Sequence, residues 1–156
     1  MLKYLNIYLI LLVAVIFVKA ESPLHLSEIG DFKLENGQII KDCKIGYRTF
    51  GKLNADSSNV IIYPTWFSGT TAHLQGLCTK NKIVDSTKYF IIGIAALGNG
   101  ESSSPSTSKV QPGKKFPQFT IRDMVHSQYK MLKKEFGFKK IYAVVGGSMG
   151  AMQGYE

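Results

Sequence analysis

Apolar runs rich in β-branched and aromatic residues recur along the chain and predict its central strands. Residues 60–63, 89–97 and 141–145 are apolar almost throughout, which is typical of strands buried on both faces of a parallel sheet. Between the last two runs, Thr120 can cap a helix that ends at Gly137. Its expected inward face consists of Ile121, Met124, Val125, Gln128, Leu132 and Phe136. This alternation of strand, helix and strand predicts an α/β fold with right-handed crossovers.

Polar segments between these runs predict the turns. Asn36 and Gly37 separate residues 31–35 from residues 38–50, and this pair is a strong hairpin signal because both residues tolerate positive φ. A β-hairpin is therefore expected to open the domain. Residues 101–119 form a long segment rich in Ser, Pro and Gly without a strand or helix pattern, and such loops are usually functional or mobile.

The beginning of the chain has the pattern of a secretory signal peptide. Lys3 supplies a positive start, residues 5–18 are almost wholly apolar, and small residues precede a cleavage point after Ala20. The apolar stretch is shorter than the roughly 20 residues of a spanning helix, so an uncleaved anchor is the weaker alternative. We expect residues 1–20 to be removed, leaving residues 21–156 in the secretory pathway or outside the cell, without a membrane span.

Composition and charge place the remaining chain among ordinary globular domains. Of 156 residues, 45% are hydrophobic and 19% are charged. The net charge of +8 could indicate a nucleic-acid partner, but the lysines are scattered from Lys33 to Lys140 with only short pairs. A solvated basic surface, and no nucleic-acid partner, is the expectation.

Neither the histidines nor the cysteines form a recognisable site. His25, His73 and His126 lack ligand-type spacing, so no metal centre is expected, and His73 is the one that could border an active site. Cys43 and Cys78 could pair in an oxidising compartment, but a buried free thiol is at least as consistent with the strand pattern around Cys43.

The clearest chemical signal lies near the C-terminal end. The run at 141–145 stops at Gly146-Gly147-Ser148-Met149-Gly150, a Gly-x-Ser-x-Gly pentad followed by residues that can begin a helix. This is the layout of a nucleophile elbow, in which the serine takes a strained conformation and its neighbours must be nearly without side chains. Ser148 is the candidate nucleophile, with Gly146 and Gly150 as the elbow glycines.

The loop after residues 60–63 is the second candidate element. In an enzyme with an elbow serine, this loop supplies a backbone N–H to the oxyanion hole, together with the N–H of the residue after the serine. Pro64 has no N–H, so Thr65 or Trp66 is best placed, beside Met149. An ordinary loop with a partly buried tryptophan is the alternative.

Four segments in order along the chain resemble the N-terminal half of the homoserine O-acetyltransferase family of the α/β-hydrolase superfamily. They are residues 46–54 (GYRTFGKLN), 69–73 (GTTAH), 119–125 (FTIRDMV) and 146–153 (GGSMGAMQ). The resemblance implies an α/β-hydrolase fold, truncated after the elbow. It also implies that Ser148 takes an acetyl group from acetyl-CoA, as co-substrate, and passes it to the homoserine hydroxyl.

Two departures from that family affect the expected pocket. Ala151 stands where the family commonly has another glycine, and residues 63–67 (YPTWF) replace its usual segment beside the nucleophile. The second change puts the identity of the acyl donor and acceptor, both expected to be small molecules, in question.

The chain order of the superfamily is serine, then an acid, then histidine. Only eight residues follow Ser148, none of them aspartate or histidine, and Glu156 is too close in sequence to be the acid. Because a serine without a base is a weak nucleophile, we expect the polypeptide alone to be very weak or inactive. A fragment is the simplest interpretation. The strand at 141–145 would then be an unpaired edge that favours self-association.

Three functions remain open on the sequence. An acyltransferase is favoured by the resemblance along the chain. A secreted serine ester hydrolase on the same fold, with water as the acceptor, is favoured by the expected export, because acetyl-CoA is an intracellular metabolite. A non-catalytic truncated product would account for the missing aspartate and histidine.

Overall fold

The computed structural model describes residues 22–156, so the expected signal peptide at residues 1–20 lies outside the described part. The elements follow one another in the order β1 (His25–Lys33), β2 (Ile39–Phe50), β3 (Val60–Pro64), α1 (Thr71–Gln75), β4 (Phe90–Ile94), a short 3₁₀ helix (Gly113–Lys115), α2 (Ile121–Glu135), β5 (Ala143–Val144) and α3 (Met149–Tyr155). No helix within residues 22–156 is both long enough and apolar enough to cross a membrane.

The strands form one mixed sheet in the order β1-β2-β4-β3-β5. β3 lies parallel to β4 on one side and to β5 on the other, whereas β2 is antiparallel to both β1 and β4. The predicted hairpin followed by parallel strands is confirmed, and so is the α/β class. This order places the carboxyl ends of β3 and β5, and thus the two candidate segments, side by side.

The hairpin turn is longer than the pair Asn36-Gly37 predicts. The Gly37 N–H donates to the Leu34 carbonyl at 3.0 Å, and the Leu34 N–H donates to the Gln38 carbonyl at 2.8 Å. Of the predicted pair, only Gly37 has positive φ, at +84°. This is a type I turn closed by a left-handed glycine, the usual three-residue hairpin loop.

The core lies in two clusters, one on each face of the sheet, because successive strand residues point to opposite sides. Ile62 and Ile92 pack with α2, whereas Ile61 and Ile91 pack with α1. Two layers of helix therefore cover the sheet, as the α/β architecture requires. Both isoleucine pairs are at least 96% buried, since none is more than 4% exposed.

The sheet also separates the two cysteines. Cys43 belongs to the cluster on the α2 face and Cys78 to the cluster on the α1 face, and both are free, buried thiols. Burial raises the pKa of Cys43 to about 11 and that of Cys78 to about 12, so both stay protonated at neutral pH. Of the two alternatives that the sequence left open, the structure has the buried free thiol.

Helix α2 begins as predicted, with Thr120 as its N-cap, but its buried face is more polar than predicted. Met124 and Gln128 are buried as expected, while Val125 and Leu132 are only half-buried. Asp123 and Ser127, which the pattern did not assign to that face, are each only 1% exposed. Asp123 is tolerated there because its carboxylate accepts hydrogen bonds from the backbone N–H groups of Thr120 and Glu35, both at 2.9 Å.

Replacing Asp123 with alanine is expected to lower the free energy of unfolding by about 2–4 kcal/mol, because it removes the Asp123 half of the capping box of α2 and leaves the part-buried N–H groups of Thr120 and Glu35 without acceptors. Urea denaturation followed by circular dichroism measures the change. Asp56 is the matched control, since its exposed carboxylate accepts only a local bond from the Ser58 N–H at 3.1 Å. If Asp123→Ala costs no more than Asp56→Ala, the role given to Asp123 is wrong.

Strand β5 is shorter than the apolar run at 141–145. Only Ala143 and Val144 pair with β3, opposite Ile61 and Ile62. Within residues 22–156, β5 is an edge of the sheet, with Tyr142 63% and Val144 40% exposed. An exposed apolar edge is a template for pairing, and self-association of the 156-residue polypeptide through β5 remains our prediction.

Candidate active site

Ser148 lies at the junction between β5 and α3, in a conformation that few non-glycine residues adopt. Its φ is +52° and its ψ is −126°. Such strain costs on the order of 1–3 kcal/mol and persists only where the surroundings impose it. The side chain is exposed and makes no capping hydrogen bond, although serine at a helix N-cap commonly does. The hydroxyl is therefore held out from the sheet and left available.

The two elbow glycines explain how this conformation is imposed. A Cβ on Gly146 would lie 2.4 Å from the carbonyl carbon and oxygen of Gly150, and a Cβ on Gly150 would lie 2.5 Å from the Pro64 carbonyl oxygen. Real Cβ contacts are essentially never that short, so the strand and the helix can approach this closely only without side chains at both positions. Gly147, inside the same pentad, has nothing within 4 Å of its Cβ position.

The loop that follows β3 lies directly beside this turn. Besides the contact between Gly150 and Pro64, the Gln153 side-chain amide in α3 donates to the Thr65 carbonyl at 3.0 Å. The start of α3 is thus packed against the backbone of residues 64 and 65. The structure brings together the pentad and the loop, the two segments that the sequence singled out.

Of the two alternatives for the second oxyanion donor, Thr65 and Trp66, Thr65 has a backbone N–H that is already engaged. Its backbone N–H donates to the Ile94 carbonyl at 2.9 Å, because β3 and β4 continue their parallel pairing to this point. Its hydroxyl accepts from the Ala96 N–H at 3.0 Å, and the residue is fully buried. All three polar groups of Thr65 are therefore engaged in holding the end of β3 to its neighbours.

Trp66 and Met149 retain backbone donors that are not engaged. Within residues 22–156, neither the Trp66 N–H nor the Met149 N–H donates to another protein group. The Trp66 ring stacks on the His73 ring, with centroids 6.0 Å apart and planes 16° from parallel. Of the three residues predicted as possible donors, Trp66 and Met149 are the two whose N–H groups are available.

The histidine that could border the site has a structural task. His73 is exposed, and its Nδ1 accepts from the Thr70 N–H at 3.1 Å, which caps the short helix α1. His126 lies exposed on α2. Across the described residues, no group of three His, Cys, Asp or Glu side chains is placed to hold a metal ion.

A shallow recess opens beside Ser148. Its lining residues are Ile121, Ser148, Ala151, Met152, Tyr155 and Glu156. The Glu156 carboxylate forms an ion pair with Arg122, which raises the pKa of that guanidinium, mainly through their hydrogen bond. Met152 and Tyr155, which are 60% and 98% exposed, present large hydrophobic side chains on this side of the recess. This wall is therefore apolar.

Sequence reasoning missed the polar network under the site. Gln128 and Gln153 are both buried, and the Gln128 side-chain nitrogen donates to the Gln153 side-chain oxygen at 2.5 Å. The available signal was Gln128, a polar residue on the predicted apolar face of its helix. A buried amide requires partners, so Gln128 pointed to a second polar residue.

Comparison with known proteins agrees with this geometry. A family profile described as the alpha/beta hydrolase fold matches residues 64–155. A probable esterase of Corynebacterium glutamicum is 43% identical over 141 residues, covering 88% of this chain and 40% of the relative. An ethyl acetate hydrolase of Pseudomonas veronii is 40% identical over 136 residues, covering 86% and 39%. The chain spans about two fifths of the length of these relatives.

A crystal structure of an acetylester hydrolase from Corynebacterium glutamicum superimposes with a TM-score of 0.79 at 44% identity, covering 85% of this chain and 39% of that one. The homoserine O-acetyltransferase of Geotalea daltonii is 36% identical over 145 residues, covering 81% of this chain and 39% of the relative. Similarity thus extends to esterases and to acetyltransferases, and it is higher for these esterases. Together, the profile match and the geometry around Ser148 show that the chain belongs to the α/β-hydrolase fold family.

Proposed function

We propose that this chain carries the nucleophile of a serine esterase that cleaves small acetyl esters. The observation that carries the proposal is the conformation of Ser148, with φ of +52°, imposed by close approach at Gly146 and Gly150. The relatives support the substrate class, since two of them are named as an acetylester hydrolase and an ethyl acetate hydrolase. The apolar wall of the recess suits a short acyl or alkyl group.

In the proposed reaction, the Ser148 Oγ attacks the acetyl carbonyl carbon and its proton passes to a general base. The carbonyl oxygen becomes an oxyanion that accepts hydrogen bonds from the backbone N–H groups of Met149 and Trp66. The ester C–O bond then breaks, the alcohol leaves with the proton, and an acetyl-serine remains. Water cleaves the acetyl-serine by the same steps, which releases acetate and restores the serine.

We place the general base and its acidic partner outside these 156 residues. In this fold family the acid and the histidine follow the serine along the chain. Among the described residues that line the recess with Ser148, none is histidine or aspartate, and Glu156 is paired with Arg122. The relatives' additional length supports the placement.

A second candidate is acetyl transfer to homoserine, with acetyl-CoA as the acetyl donor. Four segments in family order favour it, as does the similarity to the Geotalea daltonii enzyme. Both candidates share the acetyl-serine, and they differ in the acetyl donor and in the group that attacks the acetyl-serine. The residues that differ from the family pattern, 63–67, include the Trp66 donor and Phe67, which is 78% exposed, and this change in the segment favours a changed acceptor.

The decisive assay uses the product of the complete reading frame that contains this chain. We expect Ser148-dependent release of acetate from ethyl acetate or p-nitrophenyl acetate. We also expect no increase in thiol release from acetyl-CoA when homoserine is added. Homoserine-dependent thiol release would show that the protein is an acetyltransferase and would overturn the esterase proposal. Absence of both reactions in a folded protein would favour the non-catalytic alternative.

Export of the mature chain is proposed on the sequence of residues 1–20 alone. An esterase needs only water as its second substrate, so its reaction is compatible with the secretory pathway, whereas acetyl-CoA would have to be supplied there. The proposed export and the proposed esterase function are therefore consistent with each other.

A further inference from the structure

The buried side chain of Gln153 makes three hydrogen bonds that converge beneath the candidate active site. Its nitrogen donates to the Thr65 carbonyl at 3.0 Å and to the Met149 carbonyl at 3.1 Å, and its oxygen accepts from Gln128 at 2.5 Å. The residue is 4% exposed. We infer that Gln153 is a positioning residue, which holds the two backbone N–H donors of the oxyanion hole at a fixed separation. This inference rests on the function proposed above.

The bond to Thr65 acts on Trp66 through the peptide group. The Thr65 carbonyl and the Trp66 N–H belong to one planar unit, and the described chain has no cis peptide bond. In a trans peptide the oxygen and the N–H point in opposite directions. By fixing the oxygen toward the interior, Gln153 directs the Trp66 N–H away from the interior.

The bond to Met149 acts on the other donor segment. Met149 is the first residue of α3, and its carbonyl lies one helical turn before Gln153, within reach of the same amide nitrogen. One NH₂ group thus contacts both segments that carry unpaired N–H groups. Their separation is set by a single rigid amide, in addition to the contact between Gly150 and Pro64.

Gln128 determines which way that amide faces. Because the Gln128 nitrogen donates to the Gln153 oxygen, the Gln153 nitrogen must face Thr65 and Met149. A flipped amide would place the Gln153 oxygen against two carbonyl oxygens and its NH₂ against another NH₂. Helix α2 therefore contributes to the site indirectly, through a side chain that does not line the recess beside Ser148.

The test uses two independent readouts on the product of the complete reading frame. Gln153→Met retains length and volume but cannot hydrogen-bond. It is expected to lower kcat for acetyl ester hydrolysis by about 10²-fold with little change in KM, because misplacement by about 1 Å costs that much.

The second readout is fluorescence. Trp66 is the only tryptophan in this chain, so its emission and its quenching by acrylamide report on the loop directly. Should the complete product contain other tryptophans, they are replaced by phenylalanine in all variants.

Ser127→Ala is the matched control. Ser127 is 1% exposed on α2 and donates to the Met124 carbonyl at 2.7 Å, so its replacement also removes a buried hydrogen bond. It is expected to destabilise the protein while kcat and Trp66 emission stay at wild-type values. An equal loss of kcat in Ser127→Ala would assign the effect to stability and overturn the inference.

Gln128→Met provides a second route if Gln153→Met does not fold. This variant keeps the Gln153 nitrogen that donates to Thr65 and Met149, but the Gln153 amide is no longer fixed in orientation by residue 128. We therefore expect a smaller loss of kcat than in Gln153→Met, and a shift of Trp66 emission in the same direction. Unchanged kcat and emission in the folded variants would overturn the positioning role. If wild-type protein shows no Ser148-dependent turnover, the proposed esterase function fails by itself, and the fluorescence comparison still decides whether Gln153 holds the Trp66 loop.

Discussion

Replacing Ser148 with alanine is expected to lower kcat for acetyl ester hydrolysis by about 10⁶-fold, the effect of removing the nucleophile from a serine hydrolase. The physical reason is that no other group can form the acetyl intermediate, and residual turnover would come only from bound water near the oxyanion donors. Initial rates with p-nitrophenyl acetate, on the product of the complete reading frame, measure the loss.

Ser57→Ala controls for backbone strain in this experiment. Ser57 also has positive φ, at +57° compared with +52° for Ser148, but it lies in the polar loop before β3. Alanine at either position must adopt a positive φ, and Ser57 takes no part in the candidate site, so Ser57→Ala should retain wild-type kcat. Loss of a single catalytic interaction normally lowers kcat by more than about tenfold. If the kcat of Ser148→Ala stays within about tenfold of wild type, Ser148 is therefore not the nucleophile.

The second large effect is expected for Gly146→Ala. The new methyl group would lie 2.4 Å from the carbonyl carbon and oxygen of Gly150, and because these are backbone atoms, no flexible side chain can move away to make room. Overpacking of this kind costs about 1–3 kcal/mol, occasionally more. Because the strain falls on the turn itself, Ser148 should move, and kcat should fall by about 10²-fold even in the folded fraction.

Gly147→Ala provides the matched comparison for Gly146→Ala, since its methyl group meets nothing within 4 Å and the change in composition is identical. Urea denaturation and kcat should both remain near wild type for this variant. Equal behaviour of the two variants would show that close packing at Gly146 does not shape the elbow.

Local sequence signals predicted the elements more successfully than their edges. Thr120 marked the start of α2 because N-capping is a local interaction. The start of β1 at His25 was missed. Gly30 interrupts the pairing there with a bulge and positive φ of +70°, which breaks the strand pattern. Strand order was not predicted either, because it depends on contacts between segments that are far apart in sequence.

The candidate site shows the same division. The Gly-x-Ser-x-Gly spacing located Ser148, since the constraints on an elbow are confined to a few adjacent residues. The sequence did not show that the Thr65 N–H donates to the Ile94 carbonyl, because that bond follows from the register of β3 against β4. The Gln128–Gln153 contact joins residues 25 positions apart on two helices, so helical periodicity could show that Gln128 is inward but could not identify its partner.

The long segment at 101–119 is fixed by contacts that no local pattern reveals. Within it, the Ser102 hydroxyl donates to the Ala95 carbonyl at 2.7 Å and accepts from the Gly46 N–H at 2.9 Å. Ser102 is 1% exposed. The composition suggested that the segment is functional or mobile. Ser102 instead has a structural role, because it anchors the end of β4 to β2.

The central claim is that Ser148 forms an acetyl-enzyme, and trapping that intermediate tests it most directly. The product of the complete reading frame is mixed with excess p-nitrophenyl acetate, quenched with acid within the first turnover, digested, and analysed by mass spectrometry. We predict one acetyl group, located on Ser148 and absent from Ser148→Ala. An acetyl group on another residue that turns over at the catalytic rate, or hydrolysis with Ser148 never modified, would contradict the account.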